Sequence, residues 1–175
     1  MASFEFLAIM FTGIGLMVSV LYYTFTLQNA NKTQQQQLET RQAQLYMQVF
    51  NKFETRENID ILMDLLEWNF SDYDDFQRKY GKESNPEAYS KWIYYINLYE
   101  GLGPLVREGY LDIRMIALLM SGGIKAIWEM SEPIIMENRK RHNWPRWAIE
   151  FEYLYNTLIE YTETHPDFEL QPPNR

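Results

Sequence analysis

The sequence has 175 residues, 46% of them hydrophobic and 16% aromatic, which suits one domain with a real core and excludes two large ones. It contains no cysteine, so disulfides, thiolate catalysis and sulfur-ligated zinc are excluded. A formal net charge of −8 repels phosphate backbones, and no nucleic-acid partner is expected.

Residues 6–27 read FLAIMFTGIGLMVSVLYYTFTL, with no charged side chain. A helix of about 20 residues crosses the hydrocarbon layer of a bilayer. Tyr22 and Tyr23 lie near its end, where amphipathic rings favour the headgroup level. A cleaved signal peptide fits this stretch poorly. Residues 1–5 carry no Lys or Arg, and the apolar run ends in Tyr-Tyr-Thr-Phe rather than in small residues. A core helix would show a polar face, and here only Thr, Gly and Ser are on offer. A transmembrane anchor over 1–27 is therefore expected. Lys32 and Arg41 follow the span while no cation precedes it, which predicts a cell-membrane protein with its N-terminus outside and its C-terminal domain cytoplasmic. Ala8, Thr12, Gly15, Ser19 and Tyr22 recur at spacings of four, three, four and three. Small residues in that pattern let another helix approach closely in lipid, so the expected partners are the bilayer itself and either other membrane proteins or a second copy.

Residues 28–46 contain neither Pro nor Gly and include a glutamine run. They predict a polar helical stalk, the continuation of the span into water. From 47 to 166 the pattern is that of a helical bundle. Val49, Phe50 and Phe53, then Ile59, Ile61, Leu62, Leu65 and Leu66, have helical spacing. Ser71-Asp-Tyr-Asp74 resembles a capping box, and Gly81 suits the end of a short helix. Asn85 and Pro86 form a strong helix start, followed by a buried stripe of Trp92, Ile96, Tyr99, Gly103 and Val106. Asp112 caps a segment reaching Met120, and Ser121-Gly-Gly interrupts the pattern before Ile124, Ile127, Trp128 and Ile135 resume it. Pro133 is expected to kink that helix. Trp144-Pro145 should open a last helix whose seam is Trp147, Phe151, Leu154, Leu158 and Tyr161, stopped by His165-Pro166. Residues 167–175 are a predicted flexible tail. No window alternates with period two, so the expected fold is all-α: a transmembrane helix, a helical stalk and a compact bundle of about five helices.

Residues 102–112 (LGPLVREGYLD), Trp128, Pro133-Ile-Ile, Arg139 and Phe151-Glu-Tyr-Leu154 resemble an uncharacterised prokaryotic family of single-pass, membrane-anchored helical proteins, over roughly residues 45–165. The resemblance implies an anchor and a helical fold, and it brings no activity.

Chemical motifs are sparse. The two histidines, His142 and His165, are not in HExxH or ExxH spacing, and the aspartates at 72, 74 and 75 lack the glycine and glutamate of a calcium loop. Ser121 has no nucleophile elbow, and Gly101-Leu-Gly103 is no phosphate loop. No catalytic residue, metal or cofactor is therefore expected. The most unusual stretch is 139–147, RKRHNWPRW, in which Arg139, Lys140, Arg141, Trp144 and Arg146 are candidates for contact with lipid headgroups or a partner protein. The competing reading has these cations serving a helix C-terminus while the tryptophans pack the core. The function expected is a protein-docking domain on a membrane anchor, an accessory subunit or scaffold of a membrane complex. The alternative is a tethered enzyme or sensor using Glu100, Glu129 or Glu150 in an interhelical pocket.

Overall fold

The computed structural model describes residues 2–168, and among these it is helical without a strand. The tail expected at 167–175 lies outside the described residues apart from its first two positions. Seven helices follow in order: α1 (Ala2–Phe53), α2 (Arg56–Leu66), α3 (Tyr73–Tyr80), α4 (Pro86–Arg107), α5 (Ile113–Leu119), α6 (Ser121–Arg141) and α7 (Ile149–Thr164), with a 3-10 turn at Pro166–Phe168. The boundary between two compact units falls between Gln44 and Leu45.

The described residues of the first unit are helical throughout, and the stretch 28–46 continues the helix as its lack of Pro and Gly predicts. None of its best 18-residue apolar window is buried. Thr12 Oγ1 donates to the Ala8 carbonyl and Ser19 Oγ to the Gly15 carbonyl, each at 2.8 Å, so these hydroxyls are satisfied within the helix.

In the second unit the described residues form the expected helical bundle, built from α2 to α7 after the end of α1. The first new start lies at Thr55. Its hydroxyl accepts from the Asn58 N–H at 3.2 Å and starts α2, dividing an apolar pattern that reads as continuous from Val49 to Leu66. The starts of α4 and α5 follow the same rule: Asn85 accepts from Ala88 N–H at 3.1 Å and Asp112 from Arg114 N–H at 2.9 Å. At α3 the cap is Asp72, accepting from Asp75 N–H at 2.8 Å, while Ser71 donates its own N–H to the Asp75 carboxylate at 3.1 Å. That hydrogen bond, with Lys79 at 2.9 Å, holds the Asp75 carboxyl below its usual range; the Lys79 partner is the larger cause.

The core centres on α4. Trp92, Tyr95, Ile96, Tyr99 and Leu102 are buried there, and they meet Ile124, Ile127, Trp128 and Ile135 of α6 and Phe151, Leu154 and Leu158 of α7. Rings meet edge to face: Phe76 with Trp92 at 4.9 Å and Trp128 with Phe151 at 5.0 Å between centroids. Two buried rings of α4 find partners for their polar ends. Trp92 Nε1 donates to Ser131 Oγ at 2.9 Å, and the Tyr95 hydroxyl, which burial pushes up to about 12, donates to the Asn58 carbonyl at 2.6 Å. α4 and α7 touch most extensively, and their backbones come closest at Gly103, where a Cβ would lie 2.2 Å from the Glu150 carbonyl oxygen.

Two expectations are corrected. Ser121, Gly122 and Gly123 do not form an interruption but are the first turn of α6, which starts immediately after Met120. The last helix does not open at Trp144-Pro145. Residues 145–148 form turns, Ala148 takes a left-handed backbone (φ 55°), and α7 begins at Ile149. No side chain of that connection caps α7. Instead Glu100, on α4, accepts the Phe151 N–H at 2.8 Å, a cap that no local motif announces.

Candidate functional site

The basic stretch at the end of α6 divides into two sets. Arg139, with 13% of its side chain exposed, is internal: its guanidinium donates to Glu152 at 2.6 Å and to the Trp147 carbonyl at 2.7 Å, fastening the 142–148 connection to α6 and α7. Arg141 donates to Glu137 at 2.7 Å and to Asp74 at 2.8 Å, and lies 4.3 Å over the Tyr73 ring. These two carboxylates raise its pKa, with Asp74 first, and Arg141 in turn lowers that of Glu137. Both arginines join elements of the fold. Lys140, Trp144 and Arg146 differ: all three are exposed, Trp144 by 59%. Lys140 has only a distant contact with Glu137 at 3.9 Å, and Arg146 makes no ion pair among the described residues.

Trp144 and Trp147 form one wall of a cleft of about 530 Å³, facing Tyr89, Ile93 and Asn97 of α4, with Asn138 and His142 at its side. Asn143 (φ 49°) and Ala148 (φ 55°) bracket the tryptophans in left-handed backbone. For alanine this conformation costs of order 1–2 kcal/mol, and it persists because Arg139 and the α7 start hold the connection in place. The sequence reading missed Tyr89, Asn97 and Asn138. The signal lay in the four-residue recurrence of Tyr89, Ile93 and Asn97 on the face of α4 beside the buried stripe.

The three carboxylates of the alternative reading have separate roles. Glu150 pairs with Arg107 at 2.8 Å, and Glu129 lies near Tyr155 (3.3 Å) and Lys125 (3.9 Å). Glu100 is half-buried; burial raises its pKa, opposed by the Phe151 N–H. A carboxyl raised in the folded state binds its proton more tightly folded than unfolded. Its charged form therefore costs stability at neutral pH, and that cost disappears as pH falls through the folded pKa. Glu100→Gln keeps an acceptor for Phe151 and removes the charge. It should melt no lower than the parent at about pH 7, and its advantage should shrink as the pH is lowered into the acid range and the parent's carboxyl takes up its proton. Melting curves of the two proteins across that range check this; a large loss at neutral pH would mean that the charge itself holds α7.

On α1, Ala8, Thr12, Gly15 and Ser19 are all exposed, and a Cβ at Gly15 would meet nothing within 4 Å. The face is open to a neighbouring helix.

The family model for a domain of unknown function, DUF4760, matches residues 9–158. The chain belongs to the DUF4760 family. No curated protein and no solved structure matches it. The DUF4760 match begins at Ile9, inside the apolar stretch, well upstream of the 45–165 of the resemblance, and ends at residue 158. Most of the apolar stretch, residues 28–46, α4 and the residues lining the Trp144–Trp147 cleft lie within the matched range.

Proposed function

We propose that this DUF4760 protein is a single-pass membrane protein whose helical domain docks onto other proteins, as an accessory subunit or scaffold of a membrane complex. The observation that carries this reading is α1: about 22 successive uncharged, mostly apolar residues with none of their window buried by the rest of the chain. Water does not tolerate such a surface, whereas a bilayer solvates it and leaves the internally bonded helix backbone satisfied. The start of the family match within this stretch supports a segment that belongs with the mature domain. Lys32 and Arg41 support a cytoplasmic domain. The tethered-enzyme alternative draws less support, because Glu100 and Glu150 are engaged in holding α4 and α7 together.

Association is expected to run through Ala8, Thr12, Gly15 and Ser19. The protein extracted in mild detergent should migrate on native gels as a self-associated species or with a membrane partner, and Gly15→Leu should shift it toward the lone chain by blocking close approach. A lone chain before and after the substitution would contradict the docking role of this helix.

A further inference from the structure

Three clefts follow one face of α4. Tyr89, Ile93, Asn97 and Gly101 recur every four residues along it. The cleft of Trp144 and Trp147 shares Tyr89 and His142 with a neighbour beside Arg78 and Lys82, and it shares Asn97 with another beside Lys52, Phe53 and Gly101. Helix α4 rises about 18 Å from Tyr89 to Gly101. At Gly101 a Cβ would meet nothing within 4 Å, so the groove is open there.

Two properties say what would fit. The first is hydrogen bonding. The amide of Asn97, Nδ2 of Asn138, the His142 ring, the indole N–H groups of Trp144 and Trp147 and the Tyr89 hydroxyl have no protein partner among the described residues, and all can donate. A row of donors beside aromatic faces suits an extended peptide, whose carbonyls are free, and not a helix, whose carbonyls are already bonded. The second property is charge. The chain carries 24 acidic and 16 basic side chains, yet the groove is lined by Lys52, Arg78 and Lys82 with Glu83 as the single anion. Arg78 is drawn toward Asp75 at 3.2 Å, and Lys52 and Lys82 have no carboxylate partner among the described residues.

We infer that this groove binds an extended acidic segment, about five or six residues long, of a partner protein. The inference rests on the docking reading above and names its surface and the partner's chemistry. Apolar or proline side chains lie against Tyr89, Trp144 and Trp147, peptide carbonyls accept from the amides and indoles, and carboxylates approach Lys82 and Lys52.

The test uses the full chain in nanodiscs against a displayed library of random heptapeptides, followed by anisotropy measurements on the enriched sequences. The expected pool is net acidic and contains apolar or proline residues. Its members should bind at least about tenfold more weakly to Trp144→Ala, a substitution of an exposed side chain, and to Lys82→Glu; added salt should weaken them too. Gly101→Trp should occlude the groove without disturbing α4. A neutral or basic pool, an empty one, or binders indifferent to these substitutions would overturn the inference. If the protein still co-migrates with a partner on native gels in those cases, docking stands and this groove is not its site.

Discussion

Gly103→Ala is expected to destabilise the domain by about 3 kcal/mol or more, while Gly101→Ala, two residues away on the same helix, leaves it unchanged or stabilises it by up to about 1 kcal/mol. The contrast comes from what each Cβ meets. At Gly103 it lies 2.2 Å from the Glu150 carbonyl oxygen and 2.7 Å from its carbon, both backbone atoms of α7. No rotamer change relieves that overlap, so α4 and α7 must separate, and they carry the largest shared contact in the bundle. At Gly101 nothing lies within 4 Å, and alanine adds only helix propensity. All five tryptophans lie beyond Gln44, so fluorescence-monitored melting in mild detergent reports on this domain alone. Equal behaviour of the two variants would mean that α4 and α7 are not as close as Gly103 allows.

Trp128→Ala is expected to cost about 3–5 kcal/mol, the transfer energy of the ring plus the cavity it leaves. Trp128 is 2% exposed, meets Phe151 edge to face at 5.0 Å and stacks on Tyr155 at 5.6 Å. Against a typical total of about 5–15 kcal/mol, this removes much of the margin. The same melting experiment should show a strongly lowered transition or none. Arg141→Ala provides the comparison: its partners Asp74 and Glu137 stay solvated when it leaves, so its loss should be small and sensitive to salt.

How much of this was legible in the sequence depends on the range of the interaction. The apolar span, the Asn85-Pro86 start and the Trp92–Ile96–Tyr99–Gly103 stripe are local periodicities or caps, and each appears where the pattern puts it. Gly103 could be assigned to the buried face, but its closeness to Glu150 is a property of two helices 47 residues apart and has no local signature. The start of α7 was misread for a similar reason. Trp-Pro is a good local start, but the cap is Glu100, 51 residues upstream of the Phe151 it receives from. The basic stretch stayed open between surface contact and a role at the helix end because sequence cannot tell an arginine facing inward from one facing out. Arg139 points inward to Glu152 and Trp147, and Trp144 points out. The α4 groove was hidden by the same limit: its walls come from residues near 50, 90 and 140.

The central claim is that α1 anchors the chain in a membrane with the bundle on the cytoplasmic side. Alkaline extraction of membranes from cells expressing the full chain, together with protease treatment of intact and permeabilised cells, tests it directly. The account predicts that the protein stays in the membrane pellet, that removal of residues 2–27 releases it to the supernatant, and that the bundle is cut only after permeabilisation. Recovery of the full chain in the soluble fraction would contradict the anchor, and cleavage of the bundle in intact cells would reverse its orientation.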